Sequence, residues 1–213
     1  PVPEQNRPPA YVFPDFGAIT NVLAQMGVRP DFEADTSLRY LHRRAGETDI
    51  YFVANRSNDW CGATCSFRVT GKVPELWNPL TGEIQHPLVY EAREGRTVLP
   101  LWLEPAGSVF VVFRKPATAS SRAHRVIAVS RDGQDVLPHN GHSLHAPPAC
   151  GLVAGPGEAM RLQARQPGRY ELKTASGTTR TATFPAWPPP VELAGPWEVR
   201  FQPNCGAPDR VMF

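Results

Sequence analysis

Two short runs that are apolar at nearly every position constrain this chain most strongly, residues 50–54 (I-Y-F-V-A) and residues 109–113 (V-F-V-V-F). A strand with one face in water alternates apolar and polar residues, so these runs predict strands that are covered on both faces. Turn signals divide the sequence between them, among them W-N-P-L-T-G at residues 77–82. Residues 49–113 are therefore predicted to form one compact antiparallel unit.

The composition favours an all-β protein and excludes some partners. With 213 residues the chain is long enough to bury a core, and its 24 prolines and 17 glycines fall between short apolar runs. The net charge is only +2 and no block of like charge occurs, so neither a nucleic acid nor a membrane surface is an expected partner. No apolar run approaches the roughly 20 residues of a membrane span, and no signal-peptide pattern opens the chain.

One amphipathic helix is predicted near the start. Ile19, Val22, Leu23 and Met26 recur at helical spacing, and Gly27 is a suitable C-terminal stop. A helix this short is marginal alone, so we expect its apolar face to need a partner, such as a preceding domain. The chain starts without a methionine and stops as a strand-like run begins at residues 210–213, so a piece of a longer protein is expected.

The predicted fold class is all-β, with two small antiparallel β-sandwich units, one N-terminal helix and the first strand of a truncated jelly roll. Turn and linker signals place the boundaries, and residues 116–121 are the best candidate linker. The expected parts are an arm and helix at residues 1–36, a β-sandwich at 37–116, a second β-rich unit at 117–190, and the start of a sugar-binding-like jelly roll at 191–213. Residues 45–48 are a candidate hairpin turn around Gly46, between the strand-like residues 38–44 and 49–55. Pro100 predicts a sheet edge or bulge within its strand, because proline cannot donate to a ladder.

Neither a disulfide framework nor a metal site is predicted. Cys61 and Cys65 would lie on one face of a strand but about 13 Å apart, too far to bridge unless Gly62 forms a bulge. A second group, His139, His142, His145 and Cys150, shares one loop-like stretch. Its spacing matches no zinc signature well, so a polar loop with incidental histidines is preferred and no metal or other cofactor is expected.

No catalytic residue is assigned. Asp31, Glu33 and Asp35 cluster, and a glycosidase needs two acids facing each other across the scissile bond. These three lie next to one another in a loop-like segment with no sign of a pocket. They are therefore interpreted as solvated surface acids or as the exit of a helix.

Exposed aromatic side chains are the remaining candidates for a site, because sugar rings stack on them. Trp60 lies beside polar turn residues and Trp187 lies in a proline run, so these two are the predicted sugar-binding residues. Packing against a neighbouring domain is the alternative for both. Trp77 and Trp102 fall within strand patterns and are interpreted as core residues.

Several segments together resemble a known enzyme family. L-R-Y-L-H-R-R, D-I-Y-F-V-A-N, P-E-L-W-N-P-L-T-G and G-S-V-F-V-V-F resemble the region that follows the catalytic barrel in α-L-rhamnosidase-like glycoside hydrolases of family 106. Further on, P-G-R-Y-E-L and V-E-L-A-G-P-W-E-V-R-F-Q resemble the entry into a C-terminal sugar-binding-like domain of the same proteins. The resemblance is strongest over residues 37–113, and residues 17–31 are similar to the last helix of the preceding domain.

The resemblance implies an accessory role. The family's catalytic carboxylates and calcium site belong to an upstream barrel that nothing here matches, so no catalytic residue is carried over. The implied partners are that catalytic barrel and carbohydrate, and the parent enzyme is expected to be extracellular or periplasmic. A stand-alone carbohydrate-binding module and an Ig-like interaction domain are the alternatives, since fold does not determine function.

Overall fold

The computed structural model describes residues 17–137, 148–155, 159–202 and 206–213. The helices in this part of the chain are α1 (Gly17–Gln25) and α2 (Ala119–Ala123). The strands of its first half are β1 (Phe32–Ala34), β2 (Arg39–Ala45), β3 (Thr48–Ala54), β4 (Cys61–Phe67), β5 (Lys72–Trp77), β6 (Ile84–Gln85), β7 (Glu91–Arg93), β8 (Arg96–Leu103) and β9 (Ser108–Pro116). The strands of its second half are β10 (Val126–Arg131), β11 (Gln134–Asp135), β12 (Cys150–Ala154), β13 (Met160–Ala164), β14 (Gly168–Thr174), β15 (Thr179–Phe184), β16 (Glu198–Arg200) and β17 (Arg210–Met212). Their pairings are antiparallel, and the predicted all-β class is confirmed.

Two sheets that pack face to face form the first unit. Five strands pair in the order β2-β3-β9-β5-β6, and four pair in the order β1-β4-β8-β7. Tyr51, Phe67, Leu99 and Phe113 are fully buried between them, and the rings of Tyr51 and Phe67 meet edge to face at 4.9 Å. Each such side chain contributes about 1.5–3 kcal/mol on burial, so this core holds the two sheets together. The four-stranded sheet begins at Phe32, ahead of the predicted unit at residues 37–116.

The two apolar runs lie side by side as parts of β3 and β9, and their outer faces are only partly closed. Tyr51 and Val53 are fully buried on the inner face. On the outer face Val112 is buried, but Phe52 and Phe110 are only half-buried. The prediction of burial on both faces is therefore confirmed at Val112 and wrong at Phe52 and Phe110. The strand register places a row of paired side chains across it, here called the outer apolar row: Leu41, Phe52, Phe110, Trp77 and Ile84.

Local backbone signals in the first unit were predicted well. β2 and β3 form the expected hairpin, and Gly46 adopts the positive φ of 57° that its turn requires. β7 pairs with β8 only as far as Val98. At Pro100, β8 is therefore paired with β4 on one side and forms a sheet edge on the other, as predicted. Cys61 and Cys65 are free, buried thiols on the inner face.

A second four-stranded sheet, ordered β11-β10-β14-β15, and the hairpin β12-β13 form the second unit. Val126, Val129, Tyr170 and Leu172 are buried in its core. Tyr170 also donates its hydroxyl proton to the carbonyl of Gln166, at 2.8 Å. The segment before β7 joins the two units, because the amide of Val126 donates to the Leu88 carbonyl (2.8 Å) and the amide of Ala154 donates to the His86 carbonyl (2.9 Å).

Two elements of this half were not predicted. α2 overlaps the end of the stretch interpreted as a linker and is stabilised by a capping box between Thr118 and Ser121. β12 lies within a stretch interpreted as a long loop; its sequence C-G-L-V-A shows no alternation, and its pairing with β13 decides its conformation. At the end of the chain, β16 pairs with β17 as a two-stranded hairpin. Neither described helix is long and apolar enough to cross a membrane.

Candidate functional site

The two predicted sugar-contact residues lie on different units. Trp60 is half-buried directly before β4, whereas Trp187 follows β15 and is 51% exposed. The indole Nε1 of Trp187 donates to the carbonyl of Arg165 at 3.4 Å, which holds the ring beside the end of β13. Sugar contact by Trp60 and Trp187 stays a prediction.

Trp77 and Trp102, interpreted as core residues, instead lie on outward faces and are half-buried. Trp77 donates its Nε1 proton to Glu75 (3.0 Å), and the guanidinium of Arg114 lies 5.1 Å from its ring centroid. Trp102 lies in β8 of the first unit, on the face of its sheet that is directed toward the second unit. Strand position alone could not distinguish these faces, because the alternation places half of a strand's side chains outward.

A cleft of about 210 Å³ lies between the two units and is lined in part by Trp102. We call it the Trp102 cleft. The first unit and its connecting segment contribute Gln85 and Trp102, and the second unit contributes Cys150, Gln163 and Arg165. The rest of its lining is mostly aliphatic.

Two glycines shape the walls of this cleft. Gly62 is paired with Trp102, and a Cβ atom at Gly62 would lie 2.5 Å from the ring atom Cζ3. The missing side chain therefore allows the indole to lie directly on β4. Gly151 is paired with Gln163, whose Oε1 atom would lie 3.3 Å from a Cβ at that glycine. On each side of the cleft, a side chain of one strand therefore lies over a glycine of the neighbouring strand: Trp102 over Gly62, and Gln163 over Gly151.

The charge of the cleft comes from one residue. Arg165 is the charged side chain among the described residues that line it, and no described carboxylate forms an ion pair with that guanidinium. Cys150 is not a nucleophile here, because burial raises the pKa of its thiol against the lowering influence of Arg165 and Arg131. The cleft can therefore offer a cation, an amide and an aromatic face, but no acid or base for hydrolysis.

The acids singled out from the sequence belong to a different place, an ion-pair network at the first unit. Asp31 Oδ2 lies 3.2 Å from His42 Nδ1, and Asp31 Oδ1 accepts a hydrogen bond from the guanidinium of Arg68. Asp49 Oδ1 lies 3.3 Å from His42 Nε2, and its Oδ2 lies 3.0 Å from Lys72 Nζ. Burial alone would raise the pKa of Asp31, but the hydrogen bonds from His42 and Arg68 outweigh it and lower the pKa.

Neighbouring acids are also engaged. Glu33 lies 3.3 Å from Arg96, and Asp35 Oδ1 accepts the amide proton of Thr64 at 2.9 Å. The acids of this cluster lie at the surface, as the sequence predicted, but they are engaged in ion pairs and hydrogen bonds as well. Its carboxylates connect the chain before β2 to the sheets, which is a structural role.

Glu75 is a buried acid that the sequence did not reveal. Its side chain is fully buried in the outer face, where Trp77, Arg114 (2.9 Å) and Lys115 (3.1 Å) surround the carboxylate. Burial would raise its pKa, and these three partners together lower it. Only the register of β5 against β9 brings them together, so no sequence motif could have indicated the cluster.

No group of three or more His, Cys, Asp or Glu side chains within the described ranges is arranged to hold a metal ion. His139, His142 and His145 of the weighed histidine group lie outside the described residues.

Comparison with known proteins connects this fold to carbohydrate-active enzymes. A solved structure of a rhamnosidase from Novosphingobium sp. PP1Y is similar over 92% of this chain, with a TM-score of 0.51 and 28% identity. A candidate beta-glucuronidase of Formosa agariphila is 37% identical over 109 residues, or 51% of this chain. The chain spans only 13% of the first protein and 9% of the second.

A family model provides the most specific match. The alpha-L-rhamnosidase model of glycoside hydrolase family 106 matches residues 16–92, which run from the start of α1 through most of the first unit. The resemblance to the family 106 α-L-rhamnosidases that the sequence predicted is therefore confirmed, over residues 16–92 by the family model and over most of the chain by the solved rhamnosidase.

Proposed function

We propose that this chain is a non-catalytic accessory β-sandwich region of a glycoside hydrolase. In this role it packs against the catalytic domain of the same polypeptide, stabilises it and helps to position a polysaccharide. The observation that supports the proposal best is helix α1, whose apolar face is not covered by any other described segment of the chain.

Helix α1 has no buried residue. Its apolar side chains Ile19, Val22 and Leu23 are 56%, 53% and 41% exposed, and Met26, directly after the helix, is 70% exposed. A helix of nine residues is unstable alone in water and takes most of its stability from packing of its apolar face. A neighbouring domain that covers this face would supply that packing.

The outer apolar row of the first unit supports the same role. Leu41 and Ile84 at its two ends are 51% and 42% exposed, and the rings of Phe52 and Phe110 lie 5.0 Å apart between them. A contiguous apolar surface of this kind is typical of a contact between domains or proteins.

The described acids support a non-catalytic role as well. A glycosidase needs two carboxyl groups that face each other across a substrate. Asp31 and Asp49 both face His42, and the carboxylate of Glu75 is enclosed by Trp77, Arg114 and Lys115. None of these three is oriented toward the Trp102 cleft.

A hydrolysis assay on the isolated chain tests the absence of catalysis. We expect no release of rhamnose from aryl α-L-rhamnosides above the rate of a buffer blank. Turnover that disappears in an Asp31→Asn or a Glu75→Gln variant would overturn the proposal.

Thermal melting tests the packing role in a longer polypeptide that includes the upstream catalytic domain. Val22→Glu and Leu23→Glu should lower the melting temperature of that polypeptide, because they place charge in the proposed contact. The same changes should leave the isolated chain unaffected, since both side chains are exposed there. Asn21→Glu, on the opposite side of α1, is the matched control. Equal melting of all variants in the longer polypeptide would contradict the packing role.

Carbohydrate binding is a second candidate function, favoured by the exposed ring of Trp187. Titration calorimetry with rhamnose-containing oligosaccharides tests it. Binding that is unchanged in Trp60→Ala and in Trp187→Ala would exclude both predicted residues.

A further inference from the structure

We propose that the Trp102 cleft is a binding site for an acidic sugar residue of a polysaccharide. The pyranose ring would lie against Trp102, and its carboxylate would be bound by Arg165. This inference rests on the proposed function, because it names the place and the sugar class through which the region would position its substrate.

The aromatic wall has the right form for a sugar ring. Trp102 is half-buried, and the missing side chain at Gly62 lets one part of its indole lie flat against β4. The indole also lines the cleft, so an aromatic surface is presented to an incoming ligand. The apolar C–H face of a pyranose suits such a surface, and the indole is held rigidly by the strand beneath it.

The polar groups lie around this aromatic wall. Gln85 from the first unit and Gln163 from the second both line the cleft. An amide group donates and accepts hydrogen bonds, as sugar hydroxyls also do, so each glutamine can satisfy a hydroxyl in either role. Gln85 is held in place because its Nε2 atom donates to Glu83 Oε1 at 3.0 Å.

The charge of the cleft selects an anionic sugar. Arg165 has no ion-pair partner among the described carboxylates, and the described lining residues include no Asp or Glu. A uronic acid is ionised at neutral pH, and its carboxylate can take two parallel hydrogen bonds from a guanidinium. A neutral sugar would gain no such charge-assisted contact from Arg165.

The size of the cleft limits the ligand. Its volume of about 210 Å³ is below the roughly 300–1,000 Å³ of sites for drug-sized ligands, so it accommodates one sugar ring rather than a large compound. The rest of a polysaccharide would extend along the surface. The exposed Trp187 lies at one rim, where its indole donates to the Arg165 carbonyl at 3.4 Å.

Titration calorimetry on the whole chain tests the proposal. The probes are short oligomers of galacturonic acid and of glucuronic acid, each beside its carboxyl-reduced form, which keeps the ring and loses the charge. We expect saturable binding of at least one acidic oligomer, and binding of its reduced form that is weaker by about tenfold or more.

Two variants separate the two contacts. Arg165→Gln should weaken binding of the acidic oligomer by about tenfold or more and should not affect the reduced form. Trp102→Phe keeps a ring over Gly62 and should weaken both forms several-fold. Arg169→Gln removes the same charge from an exposed position on β14 outside the cleft and should change neither. Circular dichroism verifies folding, and Arg165 is exposed, so its variant remains informative if Trp102→Phe does not fold.

Three results would overturn the proposal. These are no saturable binding of either acidic oligomer, equal binding of acidic and reduced forms, and binding that survives both Arg165→Gln and Trp102→Phe but is lost in Trp187→Ala. None of them bears on the melting test with α1 variants, so failure of this site and failure of the accessory role can be told apart.

Discussion

Asp31 Oδ2 lies 3.2 Å from the Nδ1 atom of His42. The other ring nitrogen of His42 meets Asp49 at 3.3 Å, and the imidazole lies parallel to the ring of Tyr51, with centroids 4.1 Å apart. The imidazole is therefore held between two carboxylates and stacked on an aromatic ring. His42 thus connects the segment before β1 to the hairpin β2-β3.

Replacement of His42 should therefore destabilise the first unit. His42→Phe keeps the stacking on Tyr51 but removes both hydrogen bonds, and we expect a loss of about 1–3 kcal/mol in the free energy of unfolding. Urea denaturation followed by circular dichroism measures it. Arg43→Ala changes the next, exposed residue of β2 and should cost less than about 0.5 kcal/mol. Equal stability of His42→Phe and the unaltered chain would contradict the structural role of the network.

Stability should fall on acidification because of Asp31 and Glu75. The folded-state pKa of each is lowered, by partners that outweigh the effect of burial. A carboxyl group whose pKa is lower in the folded than in the unfolded state stabilises the fold at pH values above its unfolded-state pKa, which is near 4. This stabilisation is lost as the pH falls through the folded-state pKa. The melting temperature should therefore drop below about pH 4. Asp31→Asn should flatten this dependence, whereas Glu47→Gln, whose side chain is 90% exposed, should leave it unchanged.

Arg114 should stabilise the protein mainly through Glu75. Its Nε atom lies 2.9 Å from the fully buried carboxylate, and its guanidinium also lies over Trp77. Arg114→Ala leaves a buried charge with fewer partners, so we expect a loss of about 1–3 kcal/mol. In a Glu75→Gln background the same change should cost clearly less. A double-mutant cycle measured by urea denaturation gives the coupling energy, and strictly additive effects would show that the pair is not coupled.

The parts that sequence reasoning predicted correctly depend on local signals. The hairpin at Gly46 and the edge position of Pro100 follow from backbone conformation and from the missing amide proton, which neighbouring residues decide. The all-β class follows from period and turn spacing in the same way. The family resemblance was visible because several such segments occur in a characteristic order.

The parts that were missed depend on contacts between distant residues. The partial exposure of Phe52 depends on whether another layer covers β3, which no periodicity in β3 can indicate. The Trp102 cleft needs Gln85, Trp102 and Arg165 from three separate segments, which only the packing of the two units brings together. The burial of Glu75 likewise depends on the register of two strands. The exposure of Trp187, in contrast, could be predicted because its proline-rich context is local.

The pairing of Gly62 with Trp102 should be intolerant of a side chain. A Cβ atom at Gly62 would lie 2.5 Å from the indole, so Gly62→Ala forces the ring away from β4 and into the Trp102 cleft. We expect a loss of about 1–3 kcal/mol in the free energy of unfolding, as in other overpacked sites, together with a shift in tryptophan fluorescence. Gly151→Ala is the matched control, because its nearest contact is the end of the flexible, exposed Gln163 side chain at 3.3 Å, and it should be tolerated. In a Trp102→Leu background the cost of Gly62→Ala should shrink, since the flat ring that it displaces is gone. An undiminished cost in that background would mean that strand pairing, rather than the indole, requires the glycine.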